Sequence, residues 1–150
     1  MPPAKLFAAL ASVFAVLVGL AHLRPFPGVD LYINGVYWVL GPKLVLLFCT
    51  ATSLNFAALY YAGERIFQAR WNRALSILHV CLFMLFAVGL SVSFAISTNA
   101  TNGSGSDGEM RWSIVCLLLG ILSLVACLAV FAVNLLVTVT HIVRSHFGRS

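Results

Sequence analysis

Long apolar runs, separated by short polar clusters, dominate the pattern of this chain. Four stretches contain no Asp, Glu, Lys or Arg, at residues 6–23, 44–63, 74–106 and 112–143. Each reaches or closely approaches the roughly 20 residues that an α-helix needs to cross the hydrocarbon core of a bilayer. The pattern therefore predicts an all-α integral membrane four-helix bundle, formed by a single domain with spans near residues 5–23, 42–62, 73–97 and 112–143.

The connector between the first two spans carries residues that end helices. Two prolines and a glycine within residues 24–30 prevent the first helix from continuing. Because proline suits the first turn of a helix, we predict that span two begins at Pro42. The aromatic segment from Tyr32 to Trp38 is then interfacial, and Lys43 extends its ammonium group to the outer headgroups. In an alternative interpretation the helix begins near Tyr32, and Lys43 lines an anion path inside the membrane.

Three polar side chains are predicted to lie deep in the membrane, namely Asn55, His79 and Asn134. Hydrocarbon offers no hydrogen-bond partner, so each group must find one on a neighbouring helix. We predict that all three face the interior of the bundle, where such an interhelical hydrogen bond contributes about 1 kcal/mol.

Small residues recur at helical spacing in spans one and four. Ala15 and Gly19 continue a stripe in span one, and Gly120 and Ser123 begin a small and polar stripe in span four. Small side chains let helix backbones approach closely in lipid, where dispersion contacts hold helices together. We therefore predict that these four residues lie in helix-packing faces.

Composition changes this picture little, but it excludes two classes of protein. Apolar residues make up 61% of the 150 residues and charged residues only 9%, against about a quarter in soluble domains, which excludes an ordinary soluble globule. The net charge of +5 suggests nucleic-acid binding, but the basic residues are scattered at the span ends and form no patch. We therefore expect no nucleic-acid partner, and we expect the lipid bilayer, other membrane proteins or further copies of this chain instead.

The distribution of basic residues and the outer loop predict the orientation. With both termini in the cytosol, most Lys and Arg near the spans lie inside, as the positive-inside rule requires. The loop between spans three and four then lies outside and carries N-glycosylation patterns at Asn99 and Asn102. This combination predicts a plasma or secretory-pathway membrane. An alternative is that residues 1–21 are a cleaved signal peptide, which would leave three spans.

The sequence offers little material for catalysis or metal binding. Its four cysteines lie inside apolar runs without a CxxC pattern, which argues against disulfides and zinc sites. No span contains a carboxylate that could form an acid–base pair with a histidine. We therefore predict that the protein is not an enzyme and has no cofactor. In an alternative interpretation, His79 and His141 hold a haem.

The span layout, the loops without cysteines and the last span ending at residues 138–144 resemble the MARVEL-type four-span proteins, which include MAL-like and Snakeskin-like proteins. The resemblance covers the whole chain at the level of topology. It implies membrane organisation, trafficking or junction assembly without catalysis.

A narrower resemblance covers residues 59–90 and 130–136, which are similar to late helices of haem-copper oxidase subunit I. The segment corresponding to its metal-ligand helix, residues 36–40, contains no histidine. The chain therefore does not hold haem and copper as that family does. The alternative function is a small accessory subunit of a transporter or channel that uses Lys43, Asn55 and Asn134, or of a haem-containing complex that uses His79 and His141.

Overall fold

The computed structural model describes residues 2–23, 29–33, 36–66, 70–99 and 107–147. Four helices dominate this part of the chain: α1 (Pro3–Leu23), α2 (Pro42–Ile66), α3 (Arg73–Asn99) and α4 (Asp107–Phe147). All four are long and apolar enough to cross a membrane, which confirms the predicted multi-pass helical architecture. Helix α4 has 41 residues and, at 1.5 Å per residue, is about 60 Å long, so it exceeds the bilayer core and must tilt or protrude.

The segment between α1 and α2 forms an antiparallel hairpin that the sequence analysis did not predict. Strands β1 (Val29–Ile33) and β2 (Val36–Leu40) pair so that Tyr32 lies opposite Tyr37. Both strands are rich in β-branched and aromatic residues, which favour extended backbone. The hairpin adds a small strand pair to the helical fold and leaves α2 to begin at Pro42, as predicted.

Local signals define the start of α3 and its contact with α2. The side-chain oxygen of Asn72 accepts hydrogen bonds from the backbone N–H groups of Ala74 (3.0 Å) and Leu75 (3.2 Å), which caps the first turn of α3. The Trp71 indole packs so closely on Gly63 that a Cβ there would collide with it. These contacts fix α2 and α3 as neighbours running in opposite directions.

Helices α3 and α4 approach each other almost backbone to backbone. A Cβ built on Gly89 would lie 3.1 Å from the carbonyl oxygen of Cys116 and 3.1 Å from Cα of Gly120. Further along the same seam, the Ser93 hydroxyl donates to the carbonyl oxygen of Ser113 at 2.9 Å. The Ser113 hydroxyl in turn donates to the carbonyl oxygen of Ser93 at 3.0 Å. The prediction that Gly120 lies in a packing face is confirmed by these contacts.

Aromatic side chains fill the space between the α1/α2 pair and the α3/α4 pair. The buried ones include Phe7 on α1, Phe56 and Tyr60 on α2, and Phe83 on α3. Phe7 stacks on Tyr60 at a centroid distance of 5.7 Å and meets Phe83 edge-on at 5.9 Å. The two helix pairs are thus joined mainly through bulky rings, whereas α3 and α4 meet through small residues.

The outer surface of the bundle is apolar along every helix. Leucines with at least half of their surface exposed occur on all four helices, for example Leu20 (53%), Leu54 (55%), Leu85 (55%) and Leu122 (65%). In water such a surface would aggregate, whereas in lipid it costs nothing. The exposed side chains therefore agree with the bilayer environment inferred from the length of the helices.

Candidate functional site

The most polar part of the interior is a cluster formed by Tyr60 on α2, His79 on α3 and Asn134 on α4. All three side chains are completely buried. The predictions that His79 and Asn134 face the bundle interior are confirmed. The cluster lies toward the end of the bundle that contains the α2–α3 turn, because Tyr60 is near the end of α2 and His79 is near the start of α3.

Asn134 satisfies its amide through bonds to three residues outside α4. Its Nδ2 donates to the Ser76 hydroxyl at 3.1 Å and to the Tyr60 hydroxyl at 3.4 Å. Its Oδ1 accepts from the backbone N–H of Asn72 at 3.1 Å. One side chain of α4 therefore holds α2, α3 and the turn between them.

His79 joins the polar network through one ring nitrogen. The Tyr60 hydroxyl, which accepts a hydrogen from Asn134, lies 2.9 Å from His79 Nδ1. Either group can donate in this contact, because a hydroxyl oxygen can accept two hydrogen bonds and a neutral imidazole carries its hydrogen on either nitrogen. The other ring nitrogen, Nε2, is buried and has no hydrogen-bond partner within the described residues.

Aromatic rings surround the imidazole on the side away from the polar groups. The ring centroids of Phe56, Phe7 and Phe131 lie 4.4, 4.8 and 5.3 Å from that of His79. Phe56 meets the imidazole edge-to-face, with an angle of 86° between the ring planes. Trp71 adds a hydrogen bond from its Nε1 to the carbonyl oxygen of Tyr60 at 3.3 Å. The polar cluster is therefore sealed by rings from α1, α2, α4 and the turn.

The α3/α4 seam that carries this cluster follows a heptad repeat on both helices. Its facing pairs, each connected by a hydrogen bond or a close backbone approach, are Asn72 with Asn134, His79 with Cys127, Phe86 with Gly120, and Ser93 with Ser113. Residues on each helix are seven apart, and the two series run in opposite directions. This spacing is typical of left-handed antiparallel helix packing.

Three of the predicted packing residues lie elsewhere than expected. Asn55 is exposed on the outer face of α2, so the prediction that it points into the bundle is wrong. Ala15 and Gly19 are also exposed, and no atom lies within 4 Å of a Cβ built on Gly19. Helix α1 instead packs through the face that contains Phe7 and Phe14, because rings are needed to fill the wide gap between the helix pairs.

The remaining predicted residues have mixed outcomes. Ser123 is buried, and its hydroxyl donates to the carbonyl oxygen of Leu119 on its own helix at 2.8 Å. Asn99 is the last residue of α3, but its side chain, like all of Asn102, lies outside the described part of the chain. The two glycosylation patterns therefore stay predictions.

Sequence reasoning missed four residues that build the site: Tyr60, Trp71, Asn72 and Ser76. Tyr60 continues a face of α2 that includes Cys49, Ser53 and Phe56 at spacings of four, three and four, and all four are buried. That spacing is a signal that could have been found. The roles of Trp71 and Asn72 depend on how the turn folds back, which no helical period reveals.

The geometry argues against a haem held by two histidines of one chain. Cys127 contacts the carbonyl oxygen of His79, and His141 lies 14 residues further along α4, which is about 21 Å along the helix axis. His141 is also exposed, whereas His79 is completely buried. Within the described residues, no group of three or more His, Cys, Asp or Glu side chains could hold a metal ion.

The arrangement can therefore orient and lock helices, since each strong polar contact is made between two elements of the bundle. The asparagine amide and the tyrosine hydroxyl act as connectors, and the rings exclude solvent from them. No protein-family model, no curated protein and no solved structure matches this chain, so the site has to be interpreted from its own geometry.

Proposed function

We propose that this chain is a non-enzymatic multi-pass membrane protein that acts in membrane organisation, in trafficking, or in the assembly of junctions or other membrane complexes. The observation that carries the proposal is the hydrogen-bonding of Asn134, whose amide is used entirely in joining three elements of the bundle. A polar group committed in this way serves the architecture and is not presented to a substrate.

The distribution of polar and apolar groups supports a scaffold role. Transport sites commonly use broken helices whose free backbone groups bind the substrate at the membrane midplane. Helices α2 and α3 instead run as single elements over 25 and 27 residues. A rigid bundle with an apolar outer surface is suited to contacts with lipids and with other membrane helices.

The resemblance to MARVEL-type four-span proteins gives this proposal its more specific content. In that interpretation both termini are cytosolic, the hairpin of β1 and β2 and the loop between α3 and α4 lie outside, and the membrane is the plasma membrane or part of the secretory pathway. Two observations would test this assignment. Tags at the two ends should be accessible from the same, cytosolic side, and glycosidase treatment should change the mobility of a chain modified at Asn99 or Asn102.

Co-purification tests the function itself. The tagged full-length chain is extracted from native membranes in a mild detergent, and bound proteins are identified by mass spectrometry. A tagged, unrelated four-span protein at the same expression level is the matched control. Membrane proteins enriched with this chain and absent from the control support a role in assembly. An absence of any enriched protein, together with catalytic turnover by the purified chain, would contradict it.

A second candidate function is that of a small accessory subunit of a transporter or channel, and the exposure of Asn55 on α2 favours it. A polar group on the outer surface is suited to a contact with another subunit. Ion or solute flux above the level of empty liposomes would support this candidate. If the complex contains haem, the purified assembly should show a Soret absorbance band. The absence of this band would exclude a haem-containing complex.

A further inference from the structure

Asn55 lies deep in the membrane and faces outward. It follows Lys43 by 12 residues and precedes Glu64 by nine, which places it about 18 Å and about 13 Å along the axis from the two charges that flank this span. Its side chain is exposed and forms no hydrogen bond within the described residues. The amide is therefore directed away from the bundle at a depth where lipid offers only hydrocarbon.

An amide in this position is unfavourable for an isolated chain. Its two N–H groups and its carbonyl oxygen lose their water partners in the bilayer core, and hydrocarbon replaces none of them. The exposed serine and threonine hydroxyls of the described helices avoid this cost. The Ser12 hydroxyl on α1, for example, donates to the carbonyl oxygen of Ala8 on its own helix at 3.0 Å. Asn55 has no such internal solution.

The surroundings of Asn55 permit a close approach by another helix. Ala51, four residues before it, and Ala58, three residues after it, are both exposed on the same side of α2. Ala62, four residues further, continues the stripe. Small side chains flanking a polar one are the arrangement with which membrane helices bring backbones together and form interhelical hydrogen bonds.

We propose that Asn55 is the centre of a homodimer contact, in which α2 of one chain packs on α2 of a second copy and the two Asn55 amides hydrogen-bond to each other. All copies insert with the same orientation and depth, so a two-fold axis normal to the membrane brings the two amides to the same level. Each amide has both a donor and an acceptor, which makes it complementary to itself. This inference is independent of the scaffold function proposed first, because it rests on the outer face of α2 and not on the buried cluster. It assigns the exposed Asn55 to a second copy of this chain, whereas the accessory-subunit candidate would assign the same surface to another subunit.

Energy transfer in liposomes tests the contact. The purified full-length chain, labelled at its carboxyl terminus with a donor or an acceptor fluorophore, is reconstituted into phosphatidylcholine liposomes over a range of protein-to-lipid ratios. We expect transfer above the level of random proximity for the wild type. Asn55→Leu, which keeps the branching of the side chain but removes its polar atoms, should weaken dimerisation about 5- to 30-fold, as expected for polar contacts of about 1–2 kcal/mol between membrane helices.

Two further variants separate this contact from general effects. Ala58→Leu keeps the amide but holds the backbones apart, so it should weaken dimerisation as well. Ser12→Ala removes an exposed hydroxyl that is already satisfied by its own helix, so dimerisation should not change. Unaltered helicity by circular dichroism shows that each variant is folded, as expected for changes on the outer surface.

Several results would overturn the proposal. Wild-type energy transfer at the random level would mean that the chain is a monomer in lipid. Dimerisation of Asn55→Leu equal to that of the wild type would mean that the amide is not the contact. A photo-crosslinker at position 58 that captures a different protein in native membranes, and not a second copy, would assign the surface to another partner.

Discussion

The hydroxyl oxygen of Tyr60 lies 2.9 Å from Nδ1 of His79, with both side chains completely buried. This contact joins α2 to α3 at a point where rings, not backbones, separate the two helix pairs. Asn134 extends it to α4 by donating a hydrogen bond to the same hydroxyl. The specificity of the bundle therefore depends on a short polar chain inside an aromatic core.

Tyr60→Phe removes this contact with minimal change in shape. We expect the free energy of unfolding to fall by about 1 kcal/mol, because His79 Nδ1 loses its hydrogen-bond partner and Asn134 loses an acceptor. The adjacent Tyr61 is 56% exposed and provides a matched control, since Tyr61→Phe should leave stability unchanged. Unfolding by SDS in mixed micelles, followed by circular dichroism, measures both variants. Equal stability of the two would contradict the role assigned to Tyr60.

Coupling between Asn134 and Ser76 can be measured directly. Asn134→Ala and Ser76→Ala each remove one side of the 3.1 Å hydrogen bond between α3 and α4. The double variant should lose less stability than the sum of the single losses, with a coupling free energy of about 0.5–1.5 kcal/mol. The same SDS titrations provide the four values of the cycle. Strict additivity of the losses would show that these two groups do not interact.

The close approach of α3 to α4 predicts that alanine destabilises the bundle at Gly89 on α3. The same substitution at Gly19 on α1 serves as the control. Gly89→Ala places a Cβ 3.1 Å from backbone atoms of α4, so the helices must move apart, and we expect a loss of about 1–3 kcal/mol. Gly19→Ala meets no atom within 4 Å and should be neutral or slightly stabilising, because alanine favours the helix. Thermal unfolding in detergent compares them. A wild-type midpoint for Gly89→Ala would refute the tight seam.

The bounds of the helices could be predicted because local signals set them. Pro42 suits a first helical turn, and the polar residues near Arg73 and Arg24 interrupt the apolar runs on either side of them. The observed helices start or end within a few residues of most predicted bounds. Span four was predicted to begin after the charged residues that precede its apolar run. Helix α4 instead begins at the first of them, Asp107, so its start was missed.

The faces of the helices were harder to predict, because apolar residues cover nearly every side of a membrane helix. Asn134 and His79 were placed correctly by the rule that polar groups avoid lipid. The same rule failed for Asn55, whose face depends on which helices surround α2. Phe7 faces inward because a wide gap between helix pairs needs a ring, and only the assembled bundle reveals that gap. The facing residues of α3 and α4 share a seven-residue spacing that is present in the sequence. It was not recognised because each helix was considered separately.

The hydroxyl of Ser53 leads to a further prediction. Ser53 is completely buried on α2, and its oxygen has no hydrogen-bond partner within the described residues. Burying an unpaired hydroxyl costs free energy that a methyl group of nearly the same size avoids. Ser53→Ala should therefore stabilise the bundle, by about 1 kcal/mol. The midpoint of SDS unfolding should move to a higher SDS fraction.

Ser123→Ala is the matched control for this prediction. The Ser123 hydroxyl is also buried, but it donates to the carbonyl oxygen of Leu119 at 2.8 Å, so its removal deletes a satisfied hydrogen bond. We expect Ser123→Ala to be neutral or slightly destabilising, in contrast to Ser53→Ala. If Ser53→Ala instead lowers the stability as much as Ser76→Ala does, then Ser53 has a partner in the folded membrane protein, and the hydroxyl belongs to the polar network that joins the helices.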